Sequence, residues 1–113
     1  MTEETQVLIW QADVTHPTQS ADAKEALREV IDPEIGLNII ELGLIRDVSI
    51  NDEAVQVNMI LTTPFCPYGP ALLEMARKKV EESLEQTTTI EIGMQMWDPT
   101  MMEEGVGADW GLF

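Results

Sequence analysis

Between Val55 and Leu84 the apolar residues change their spacing, and the change falls across a proline-punctuated string that carries the only cysteine of the chain. Val55, Val57, Met59 and Leu61 alternate with other residues, the period of a strand with one buried face. Leu73, Ala76, Val80 and Leu84 recur at helical spacing, with Glu74, Lys78, Glu81, Glu82 and Glu85 directed elsewhere. The join reads Thr62-Thr63-Pro64-Phe65-Cys66-Pro67-Tyr68-Gly69-Pro70. Its prolines cannot continue a strand ladder, and Pro70 suits the first turn of a helix. The chain is therefore committed to a strand, a stiff loop holding a thiol, and an amphipathic helix over 72–86.

The remaining patterns build a domain around that unit. Asp22 with Glu25 has the spacing of a capping box, and Ala23, Ala26, Leu27, Val30 and Ile31 share a helical face. Asp32 precedes Pro33, which ends that helix. A loop over 32–43 follows, with turn residues Gly36, Asn38 and Gly43, and with Ile35, Leu37, Ile39 and Leu42 available to pack. Leu44, Val48 and Ile50 predict a strand joined to the Val55 strand by a tight Asn51-Asp52-Glu53 turn. Thr88 to Trp97 alternates once more, which predicts a third strand burying Ile90, Ile92, Met94 and Met96. The order helix, strand, strand, helix, strand gives a two-layer α+β domain over 21–99. Residues 1–20 lack a sustained period and read as a mobile arm, from which Ile9 and Trp10 could dock; 100–113 read as a tail in which Gly105 and Gly107 oppose helix.

A chain of 113 residues forms one domain with a modest core. A lone cysteine excludes an internal disulfide and fits a reducing compartment. Neither a secretory leader nor an apolar run of about 20 residues is found, so the expectation is a cytoplasmic protein with no membrane span. With 21 acidic and 6 basic residues the net charge is −15, which repels phosphate backbones and anionic lipid and argues against nucleic-acid and membrane partners. Cations and basic protein surfaces remain as partners, and plain solubility is the alternative reason for the acidity.

In a hairpin the start of the first strand lies beside the end of the second. A third strand parallel to the second ends on that same edge, so Asp32, Glu34, Glu41, Thr62, Thr63, Cys66, Trp97 and Asp98 are expected to form one polar group around the thiol. Ahead of a helix start Cys66 faces unpaired N–H groups and a positive dipole, which favour the thiolate as nucleophile or ligand; a small buried filler is the alternative. Asp32 and Glu34 suit cation binding, partner binding or proton transfer, although Asp before Pro is also an ordinary helix stop. Thr62 and Thr63 offer hydroxyls, as do many strand ends. His16, the sole histidine, lies in the arm. One cysteine supplies neither a CxxC pair nor four zinc or cluster thiolates, and no GxGxxG, P-loop or GxSxG string occurs. Any metal or cluster on Cys66 needs further ligands from a second subunit, a small thiol or a partner protein.

The run Ala26-Leu27 to Val30-Ile31-Asp32-Pro33-Glu34-Ile35-Gly36-Leu37-Asn38-Ile39, then Leu42-Gly43-Leu44-Ile45, Thr62-Thr63, Cys66-Pro67 and Trp97-Asp98-Pro99, resembles the SufT/PaaD-like family, also called the MIP-eighteen family or domain of unknown function fifty-nine. The resemblance covers roughly 23–99. It implies an iron–sulfur cluster assembly domain-like α+β fold and an accessory, non-enzymatic role in maturing iron–sulfur proteins or delivering clusters to apoproteins. The family motif falls on Asp32, Glu34, Thr62, Thr63 and Cys66, with Cys66 the expected contact for iron, a transient cluster or a partner. Scaffold proteins and apoprotein clients are the implied partners, and a homodimer is compatible with the same motif. After Trp97-Asp98-Pro99 the chain departs from the pattern, with Thr100-Met101-Met102-Glu103-Glu104-Gly105 where many relatives have Pro-Trp and a short helix. Two competing readings remain at this point: a thiol-dependent redox enzyme or sensor, and a pure protein-interaction module.

Overall fold

Asn51 closes the hairpin on which the fold is built. Its N–H donates to the Ala54 carbonyl at 3.0 Å and its Oδ1 accepts from the N–H groups of Glu53 and Ala54. The computed structural model describes residues 9–33, 35–62 and 68–102. Strands β1 (Ile45–Ile50) and β2 (Ala54–Met59) pair antiparallel, as their alternation predicts. A register shift between Ile45 and Asp47 marks a bulge near the start of β1. Helix α3 (Gly69–Leu84) then returns the chain to β3 (Thr87–Ile92), which lies parallel to β2 and gives the order β1-β2-β3.

One face of this sheet is apolar and one is polar. Val48, Ile50, Val55, Val57 and Met59 are buried. The helices contribute Ala23, Leu27, Leu72, Ala76, Val80 and Leu84 to the same core. Asp47, Ser49, Gln56, Asn58 and Glu91 gather on the other face. Helix α2 (Pro17–Leu27) runs antiparallel to α3: Gln19 bonds Gln86, Asp22 accepts from Ser83, and Glu29 just beyond α2 meets Lys79 at 2.7 Å. The C-terminal end of α2 and the N-terminal end of α3 thus lie at the same end of the domain.

Two expectations change. The proposed arm over 1–20 is not loose over its second half, because α1 (Gln11–Thr15) and the start of α2 occupy it. Helix α2 starts at Pro17, where a missing N–H is harmless, and not at the Asp22/Glu25 pair, which falls inside it. Trp10 is buried, donates Nε1–H to the Ile45 carbonyl at 3.3 Å and carries Lys24 over its ring. Gln11 grips the Asp47 carboxylate through its backbone N–H and its side chain. Ile9 stays exposed.

The second change concerns the third strand. Thr88 is buried and Ile90 half-buried, yet Ile92, Met94 and Met96 are 60%, 96% and 81% exposed. Regular pairing stops at Ile92, followed by one further bond from Gly93 N–H to the Met59 carbonyl. The alternation continues past the part of the sheet that the helices cover.

Candidate functional site

The loop over 28–44 is assembled by its own backbone. After α2 the chain makes Val30 N–H to Leu27 carbonyl, then returns so that Ile39 N–H reaches the Val30 carbonyl at 2.9 Å. Asp32 N–H bonds the Leu37 carbonyl, and the Asp32 carbonyl accepts from Ile35 and Gly36, with Gly36 at φ +87° completing the tight turn. Asn38 and Glu41 exchange side-chain to backbone bonds at 3.0 and 2.8 Å, so Glu41 closes a turn. Leu44 N–H donates to Ile39 and the Leu44 carbonyl accepts from Ile60 at 2.8 Å. A continuous ladder therefore links the Asp32 loop to the residues that lead into Thr62.

The predicted convergence is present among the described residues. Ile45, Met59 and Ile92 sit in register, so 42–45, 59–62 and 92–97 share one end of the sheet. Gly69, at the start of α3, packs against Leu61 at that end. Beyond β3 the chain leaves Trp97 half-buried and Gln95 at the surface, each with a hydrogen-bond partner. Gln95 accepts from Arg46 Nε at 3.2 Å, and Trp97 Nε1–H donates to the Leu42 carbonyl at 2.7 Å. Arg46 also donates to the Gly43 carbonyl at 2.9 Å. Burial lowers the Arg46 pKa, while the charge of Asp98 acts the other way. Asp98 is held below the usual carboxylate range, first by the Thr100 hydroxyl, then by the Thr100 N–H, with Arg46 adding to both against a small effect of burial. It caps the short 3₁₀ turn Pro99–Met101.

A cleft of 480 Å³ opens here, bounded by Leu61, Thr62 and the run Ile92–Trp97. Thr62 is half-buried on its wall. Asp32, expected in the polar group around the thiol, is only 1% exposed and so belongs to the interior of the loop. The turn that brings Leu37 back to its N–H draws it in. Glu34, Thr63 and Cys66 lie outside the described residues; Thr62 and Tyr68, which flank the 63–67 segment, are at this end of the sheet. His16 joins α1 to α2, and α2 next meets Gln86, beyond the C-terminal end of α3. About 24 Å of helix lies between that end and Gly69, so His16 is no base for this site. Arg46, Gln95, Met94 and Met96 were missed as site residues. The alternating order of 94–97, with Trp97 on the opposite face from the methionines, was the available signal.

Comparison with known proteins gives concordant matches. A family model described as "Iron-sulfur cluster assembly protein" matches residues 20–92. The Fe-S protein maturation auxiliary factor SufT of Staphylococcus aureus is 40% identical over 72 residues, spanning 62% of this chain and 78% of that protein. A Fe-S protein maturation auxiliary factor of Porphyromonas gingivalis is 39% identical over 87 residues, spanning 74% and 82%. Among solved structures, a DUF59 domain from Bacillus anthracis matches with a TM-score of 0.77 at 20% identity, over 88% of this chain and 97% of that one, a likeness of fold.

Proposed function

The chain belongs to the iron–sulfur cluster assembly protein family, and from that membership we propose that it is an accessory factor that helps mature iron–sulfur proteins, with Cys66 as its contact for iron or a cluster in transit. The family match over 20–92, which includes Asp32, Glu34, Thr62, Thr63 and Cys66, carries this reading. The cluster is cargo. One thiolate fills one coordination position, so the remaining ligands come from a scaffold, an apoprotein client, a small thiol or a second copy. Such sharing suits transfer, since a cluster held by few ligands of one protein is released to the next without dismantling a closed site. A reducing compartment such as the cytoplasm keeps the lone thiol available.

In this reading Thr62 supplies a hydroxyl on the wall of the cleft, and Glu34 and Thr63 are further positions of the family motif that act with Cys66. Asp32 acts as a positioning residue, because its buried side chain holds the loop that faces the end of β2. Delivery and not catalysis is the role. The local base that a thiol nucleophile needs is not His16, which belongs to the other end of α3.

The test is anaerobic transfer from a cluster-loaded scaffold to an apo-aconitase-type client, followed by recovered activity and visible absorbance. Wild type should accelerate activation, and Cys66→Ser should lose about tenfold or more of that acceleration. Equal acceleration by the two proteins defeats the role assigned to Cys66. Sedimentation of the loaded protein identifies whether a second copy completes the coordination.

A further inference from the structure

The cleft at the sheet end is bordered by an apolar strip that the fold leaves open. Trp97 is half-buried and held by its hydrogen bond to Leu42, Gln95 is held at the surface by Arg46, and Met94 and Met96 between and beside them are 96% and 81% exposed. Ile92 continues the strip, and Leu61 lies behind it. Methionine side chains are unbranched and polarizable, and they adapt to differently shaped apolar partners. Met94 and Met96, one residue apart on a segment held at Gln95 and Trp97, are not part of the core among the described residues.

We propose that this strip is a docking surface for apolar peptide segments flanked by lysine or arginine on the proteins that receive or supply clusters; it rests on the maturation role above and names the partner chemistry. Charge selects the occupant. The chain carries −15, so a second copy would bring two strongly negative bodies together, whereas a cationic segment is attracted. Arg46, which reaches Gln95, stands beside Asp98 and does not reverse that field. Apolar contact with Met94 and Met96 supplies grip, and flanking cations supply steering. Clients of unrelated shape would share only these two features, which is the discrimination that an adaptable methionine surface permits.

The probe is a fluorescein-labelled peptide of about twelve residues with a leucine-phenylalanine-leucine centre flanked by lysines, compared with the same centre flanked by glutamates. Anisotropy titrations of the full chain should show the lysine peptide bound at least about tenfold more tightly than the glutamate peptide. Raised salt should weaken the lysine peptide. Met94→Gln with Met96→Gln, both at exposed positions, should weaken binding about tenfold, and Cys66→Ser should bind as wild type does. Bound peptide should slow peroxide conversion of Met94 and Met96 to sulfoxide, read by mass spectrometry.

Equal binding by the methionine variant, or no preference for lysine, overturns the proposal. So does a dimer in sedimentation that the methionine variant abolishes, because the occupant would then be a second copy. The two readings fail separately: loss of transfer in Cys66→Ser without peptide binding removes the docking surface alone. Peptide binding with transfer unaffected by Cys66→Ser removes the thiol role alone.

Discussion

Trp97 donates its indole N–H to the carbonyl of Leu42 across 2.7 Å, which ties the segment after the third strand to the loop before the first. The bond fixes which side of 94–97 faces out, and so exposes Met94 and Met96. Trp97→Phe keeps an aromatic ring and removes the donor, leaving a carbonyl without its partner. The expected loss is about 1 kcal/mol in urea unfolding, with faster hydrogen exchange in 93–98. A variant as stable as wild type, with unchanged exchange, would show that the bond does not set this geometry.

Gly43 and Gly36 both have positive φ, +75° and +87°, but their surroundings differ. A Cβ on Gly43 would come 1.9 Å from the carbonyl oxygen of Met101, whereas a Cβ on Gly36 would meet nothing within 4 Å. Gly36→Ala should therefore cost only the left-handed strain, about 1 kcal/mol. Gly43→Ala adds a backbone clash and should displace 99–102, uncovering the buried Met102 and costing at least about 2 kcal/mol. Thermal denaturation of the two variants, with methionine oxidation as the local probe, separates strain from collision. Equal losses would refute the tight approach of Met101.

Asp32 and an exposed acid should differ in how much their removal costs. The Asp32 side chain is buried and interacting, so Asp32→Ala should lower the unfolding free energy by about 1–3 kcal/mol. Glu25 lies on the exposed side of α2 in a 3.7 Å pair with Arg28, and Glu25→Ala should stay within about 0.5 kcal/mol of wild type. Circular dichroism during denaturant titration measures both. A stable Asp32→Ala protein that fails in cluster transfer would instead make Asp32 a direct contact.

The parts of this fold legible in the sequence are those decided locally. Asn51 makes its turn from its own side chain, and Pro70 with the spacing of Ala76, Val80 and Leu84 marks α3, although Leu72 is buried at its start where the spacing predicts Leu73, and Leu73 is only partly covered. The convergence of 42–45, 59–62 and 92–97 followed from strand direction alone. What could not be read depends on distant partners. Trp10 is buried because the Ile45 carbonyl and Lys24 receive it, and no pattern within 1–20 announces them. Alternation in Ile90, Ile92, Met94 and Met96 reports one face but not whether anything covers it. Asp32 looked like a surface acid because a helix stop and a buried loop aspartate have the same sequence. Its burial comes from the return of Leu37 and Ile39.

Asp13 couples the packing of α1 and α2 to pH. Burial alone would raise its pKa, but the hydroxyl of Ser20, the Trp10 N–H at 2.9 Å and the charge of Lys24 together hold it below its ordinary value. A depressed carboxyl binds fewer protons in the native than in the unfolded state. Its stabilisation is complete above the unfolded value, near pH 4, and disappears as pH falls through the lower folded value. Acid should therefore release Trp10 from Ile45 before the sheet unfolds, seen as a red shift of tryptophan emission while the far-UV signal persists. In Asp13→Asn the unfolding midpoint should vary less with pH below about 4, and it should lie below that of wild type at neutral pH. Glu74 is exposed and paired with the partly exposed Arg77 in a solvent-screened contact that should contribute little to this limb, so Glu74→Gln serves as the control. Identical acid limbs for Asp13→Asn and wild type would remove Asp13 from the docking of the N-terminal helices.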